Sequence, residues 1–162
     1  MKRIAFAVAL GLAACSPQAQ ERAAAASPAP AQAASVHPVS GLQVIPLTIS
    51  QNGNVHHFRV EVASTEPEQE RGLMFREQMG PDEGMIFPHD PPRVASFWMK
   101  NTVIPLDIVF IGTDHRIINV SANATPYSLD PRTSDGLTSA VLELNGGRIA
   151  QLGFTPGALV QW

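Results

Sequence analysis

The dipeptide Asn52-Gly53 constrains this chain more than any other feature, because it stands between two runs suited to paired strands. Leu42 to Ile49 lead into it and Val55 to Ala63 lead out, with Phe58, Val60 and Val62 alternating with His57, Arg59 and Glu61. Asn-Gly accepts the positive φ angles of a two-residue hairpin turn, and period-two alternation gives such a ribbon one apolar and one polar face. The expectation is a hairpin whose His57, Arg59 and Glu61 side is wet.

The same punctuation continues downstream. Gly84 to Phe87, Val94 to Lys100, Ile104 to Ile111, Arg116 to Val120, Thr138 to Leu144 and Ala158 to Trp162 read as strands between Pro, Gly, Asn and Asp clusters. Connections this short predict antiparallel pairing throughout. Thr65-Glu66-Pro67-Glu68 has the form of a capping box opening a short helix that ends near Gly72 or Met74, and a second short helix is expected from Arg148 to Gly153. Asn123 to Gly136, with two prolines and no periodicity, reads as a long loop and a candidate rim. The fold class expected over residues 41–162 is mainly β: a compact antiparallel barrel or jelly-roll-like sandwich with one or two short helices.

Residues 1–40 have a different logic. Met1, Lys2 and Arg3 form a basic start and Ile4 to Ala14 an apolar stretch shorter than the ~20 residues a bilayer span needs, so 1–14 read as a signal peptide. Leu12-Ala13-Ala14-Cys15 resembles a lipobox, with Cys15 the lipidation site; an ordinary secretory signal that contains a cysteine is the alternative. Cys15 is the single cysteine, so no disulfide within the chain competes for it. Residues 15–40 are then a lipidated Cys and an Ala/Pro-rich tether, too poor in large apolar side chains to order itself. These features predict an exported domain anchored to a membrane through Cys15 and facing the periplasm, with the outer membrane preferred because Ser16, not aspartate, follows the cysteine. Loss of Lys2 and Arg3 would leave 9 basic against 14 acidic residues, a formal charge of −5, which argues against nucleic acid as a partner.

Three segments, Arg71-Gly72-Leu73-Met74-Phe75-Arg76, Gly84-Met85-Ile86-Phe87 and the run from Phe97-Trp98-Met99-Lys100-Asn101-Thr102 through Ile104-Pro105-Leu106-Asp107 to Ile111, resemble in order and spacing the prokaryotic family known as domain of unknown function 192. Val141-Leu142-Glu143-Leu144 followed by Gly147 is similar to its closing segment, although Asn145 stands where members more often carry proline or another residue. The resemblance implies a compact β-rich domain, often exported, with a jelly-roll-like arrangement; it implies no reaction, ligand or cofactor.

Function must therefore be read from the residues. Alternation from Val94 to Lys100 puts Ser96, Trp98 and Lys100 on one face and Phe97 and Met99 on the other, in the core. Trp98 beside Lys100 would form an aromatic wall with a cation at its edge, suited to a sugar ring or small anion, unless Trp98 packs under a loop and Lys100 is simply solvated. Lys100 is the only lysine left once Lys2 is removed, in a chain that otherwise uses arginine, and a compact ammonium can do what a guanidinium fork cannot. Asp107 and Glu143 each sit in apolar runs, so each carboxylate is expected to be buried, with Arg71 and Lys100 as possible partners. The candidate ligand-binding set is Arg71, Trp98, Lys100, Asn101, Asp107 and Glu143.

The histidines suggest no metal site: His56 and His57 would point to opposite faces, His37 lies in the tether, and His89 and His115 fall in expected turns. No cofactor motif is present. Three function classes stay open. The first is a binding module for a small polar or anionic, saccharide-like envelope ligand. The second is a hydrolase using Asp107 and Glu143 as acid and base, which requires the two carboxyls within roughly 5–10 Å. The third is an accessory or scaffold protein for another envelope protein, which would expose an apolar patch.

Overall fold

The structure, a computed structural model, describes residues 35–162. The signal peptide, Cys15 and most of the tether lie outside those residues. The elements run β1 (Ser35–Val36), β2 (Gln43–Gln51), β3 (Asn54–Val62), α1 (Glu66–Arg71), β4 (Glu83–Phe97), β5 (Leu106–Gly112), β6 (Ile117–Ala124), β7 (Arg132–Asn145), α2 (Arg148–Leu152) and β8 (Leu159–Gln161). The domain is mainly β with two short helices, as the turn punctuation predicts.

One sheet in the order β1-β2-β3-β4-β7-β5-β6 curls into a half-barrel, and β8 pairs with β2 off that path. β8 also meets the start of β6 through the Arg116–Leu159 bridge and the Val160 amide on the His115 carbonyl (2.8 Å), drawing the two ends of the sheet together at one mouth. β2 and β3 form the expected hairpin, pairing Gln51 with Asn54 across the Asn52-Gly53 turn.

Four expectations need correction. Pairing is not antiparallel throughout: β3 and β4 are parallel, with Val60 opposite Gly84, because residues 63–82 are long enough to carry α1 and a crossover. Gly84–Phe87 and Val94–Phe97 are not two strands but the two halves of β4, separated by an irregular Pro88–Arg93 stretch and paired along β7, and Trp98–Lys100, expected in the second strand, lie in the turn beyond it. The loop expected from Asn123 to Gly136 shrinks to residues 125–131, because β7 begins at Arg132. Finally, the sheet starts before residue 41, since Ser35 pairs with Val44.

Alternation on the central strands makes two cores. Val109, Ile111, Leu142 and Leu144 face inward with Ile49, Phe58, Val60, Ile86 and Phe154. Leu106, Ile108, Phe110 and Val141 face outward with Met85, Phe87, Leu73 and Met99. A strand buried on both faces reads as a continuous apolar run, and every residue of β5 is buried.

Candidate functional site

A cleft of about 1000 Å3 opens on the outward face of β4, between α1 and the turn that follows the strand. The α1 wall is fixed at both ends. At the start, the Glu68 carboxylate accepts the Ser64 and Thr65 amides, each at 2.8 Å, the Glu half of the expected capping box. On the helix itself, Gln69 Nε2 donates to the Pro88 carbonyl (2.9 Å) while its Oε1 accepts from Arg93 Nη2 (3.0 Å), so helix and strand are cross-braced. Gly72 ends the helix at φ +46° with the Phe87 ring 3.3 Å from where a Cβ would sit, and the chain passes close enough for Leu73 to reach the outer core.

The second wall is the Trp98–Thr102 turn. Trp98 is half exposed and the Lys100 Nζ stands 5.2 Å from its ring centroid, a cation–π pair at the cleft mouth. The turn is held by the Met99 amide on the Ser128 carbonyl (2.8 Å) and by the Phe75 amide on the Asn101 carbonyl (2.8 Å), which ties it to the segment leaving α1. Arg71 lies over the exposed Phe75 ring at 6.0 Å, a second cation against an aromatic face.

The floor combines aromatic rings with two buried polar residues, Thr102 and Glu143. Phe87 and Phe97 meet edge to face at 5.1 Å, and beside them lies Glu143, 5% exposed and flanked across the sheet by Met85 and Ile108. Among the described residues its carboxyl has no hydrogen-bond or ion-pair partner. Burial alone pushes its pKa up to about 8, so at neutral pH it is mostly a neutral acid with an O–H to donate.

Of the six residues expected from the sequence, Arg71, Trp98, Lys100 and Glu143 line this one cleft. Asn101 shapes the wall instead: it takes a left-handed conformation at φ +56° and gives its carbonyl to Phe75. Asp107 does not belong to the site. It is fully buried as expected, but its partners are backbone amides, not cations: Oδ1 accepts from Asn123 (2.7 Å) and Gly147 (2.8 Å), Oδ2 from Ile149 (2.8 Å). It pins the entry of α2 to the inner side of β5. Register explains the separation: Asp107 is opposite Leu144, whereas Glu143 is opposite Ile108, so the two carboxyls project from opposite faces of the sheet. They cannot serve as an acid–base pair.

Ser96, placed by alternation on the face of Trp98 and Lys100, lines the cleft, as do Gln69, Asp90 and Arg93, which the sequence did not single out. The signal of Asp90 and Arg93 was hidden because the proline-interrupted middle of β4 looked like a break between strands. His89 lies in that stretch and is buried, not in an exposed turn: its Nδ1 meets Thr138 Oγ1 at 2.7 Å. Glu61 was placed on a wet face, yet it is buried and forms a bidentate pair with Arg76 (2.8 and 3.0 Å) and a hydrogen bond with Ser40. Among the described residues no three potential ligands gather for a metal ion.

The model of DUF192, described as an uncharacterized ACR, matches residues 47–162. A crystal structure of a protein of unknown function from Novosphingobium aromaticivorans DSM 12444 is 55% identical with a TM-score of 0.80, over 82% of this chain and 94% of that one. A protein from Sinorhizobium meliloti 1021, named as a candidate transcription regulator, is 38% identical with a TM-score of 0.70, over 72% of this chain and 91% of its own. Among curated proteins the chain has no match.

Proposed function

The chain belongs to the DUF192 family, and from that premise, which brings no reaction with it, we propose that its domain binds a small anionic, saccharide-like ligand in the α1–β4 cleft. Cys15 would hold the domain to the envelope by its lipid, with the cleft facing the periplasm. The observation that carries this reading is the Lys100–Trp98 pair at the mouth of the cleft. A half-exposed indole offers a flat apolar face for a sugar ring, and the ammonium beside it supplies the point charge for a carboxylate or phosphate. Arg71 and Arg93 line the same cleft and add to its attraction for an anion.

A net charge of −3 offers no basic footprint for a nucleic acid backbone. The scaffold reading has one observation in its favour, the exposed cross-strand pair Val94 and Leu137.

Thermal-shift screening of the purified protein against sugar phosphates, sugar acids, neutral sugars and inorganic phosphate tests the proposal. A ligand at 100 times its Kd stabilises by about 2.7 kcal/mol, a rise of several degrees. The expected result is a rise with anionic sugars that Lys100→Met removes; a rise with neutral sugars alone would contradict the role of Lys100, and none with any compound would contradict the ligand site and favour a protein partner.

A further inference from the structure

The cleft has a second polar feature that a simple anion site does not need. Glu143 sits below the aromatic wall, nine-tenths buried, lining the cavity, and with no partner inside the protein. Its carboxyl is not sealed in but opens onto the cleft, so its hydrogen bonds are left for whatever group fills that space. Its neighbours determine which group. Met85 and Ile108 flank it across the sheet and Phe87 and Phe97 share the floor, and although Arg71, Arg93, Lys100 and Thr102 line the same cleft, none makes a hydrogen bond or ion pair with its carboxyl. As an acid it has one O–H to donate, and the natural complement is a carbonyl oxygen.

Resting on the reading of the cleft given above, we propose that Glu143 donates a hydrogen bond to the carbonyl of an N-acyl substituent, so that the cleft selects anionic N-acylated amino sugars over anionic sugars lacking that group. The ring stacks on Trp98, the anionic substituent pairs with Lys100 at the mouth, and the acyl group points to the floor. Burial, which raises the pKa of Glu143 to about 8, keeps the donor proton in place at neutral pH. The site thereby reads three features of one molecule, at the wall, the rim and the base of the cleft.

Titration calorimetry at pH 7 with N-acetylglucosamine 6-phosphate and glucose 6-phosphate tests this, because the two differ only at the acylated position. The wild type should prefer the acetylated sugar by about tenfold, the worth of one hydrogen bond to a buried group. Glu143→Gln retains a donor and should keep the preference. Glu143→Met should bring the two affinities together, and a normal melting curve for either variant keeps the comparison valid. Equal wild-type affinities, or a preference that survives in Glu143→Met, would overturn the selectivity and leave the anion-binding reading standing. Binding of neither sugar phosphate would overturn both.

Discussion

Glu143 and His89 carry opposite signatures of pH. Burial lifts Glu143 from its ordinary 4.5 to about 8, so between those values the unfolded chain has lost a proton that the folded chain keeps. Stability then falls as pH rises, by about 1.4 kcal/mol per unit. His89 is lowered from 6.5 to about 4, chiefly by burial and then by the charge of Arg93. Its Nδ1–H must donate to Thr138, whose hydroxyl is committed to the Arg93 carbonyl at 2.8 Å, and Nε2 has no partner. Protonating it would bury an unpaired charge, so stability falls as pH drops from 6.5 toward 4. The two slopes cancel between their windows, which predicts a stability plateau from about pH 4.5 to 6.5 and a decline on each side. Urea melts of Glu143→Gln should lose the alkaline decline, and an unchanged slope between pH 6.5 and 8 would contradict the assignment. Asp107 makes a separate prediction. Its removal leaves three backbone amides without their acceptor, so Asp107→Ala should destabilise by about 2–4 kcal/mol in a denaturant melt, and wild-type stability would refute that role.

Among the elements, the crossover from β3 to β4 builds the cleft. Arg76 secures it by pairing with buried Glu61 on β3. Arg76→Met would strip that carboxylate of its guanidinium, leaving only Ser40 and His37 beside it, and should lower stability by about 3 kcal/mol, whereas the double variant Glu61→Leu/Arg76→Met should recover much of the loss in the same melts. At the far end of the crossover Gly84 lets β4 pass tightly over β7: an added Cβ would stand 2.5 Å from the Glu143 carbonyl oxygen. Gly84→Ala should therefore lower stability by about 1–3 kcal/mol, and a neutral effect would show that the strands can part without loss. Local patterns in the sequence were legible where local chemistry decides: the Asn52-Gly53 hairpin, the start of α1 at Thr65, and the Gly153 end of α2. The parallel pairing of β3 with β4 was not, because strand partners are chosen by the whole sheet. For the same reason Glu61 looked wet, its burial depending on Arg76 arriving from the crossover. Four cleft-lining residues were readable, since alternation sets Trp98 and Lys100 apart from Phe97 and Met99, Glu143 interrupts an apolar run and Arg71 belongs to a recognisable segment. That Asp107 and Glu143 face apart depends on register between β5 and β7, which neither strand encodes by itself.

At the scale of the molecule, the half-barrel separates the residues that stabilise it from the surface that carries the cleft. The inner core and the Asp107 anchor close one side of the sheet, while the outer core carries the cleft on its upper surface. The cleft sits on strands packed from both sides, so its floor is rigid and its walls are short segments braced by Gln69 and by the Phe75–Asn101 bond. Trp98 reports on the mouth directly, because the chain has only one other tryptophan, Trp162, which stacks on His115 instead. The decisive measurement is the fluorescence of Trp162→Phe protein titrated with N-acetylglucosamine 6-phosphate. A saturable change in Trp98 emission, with a Kd weakened by about tenfold or more in Lys100→Met, is the result predicted here. An emission that stays constant into the millimolar range in folded protein, or one that saturates equally in Lys100→Met, would contradict the assignment of the cleft as an anionic-sugar site.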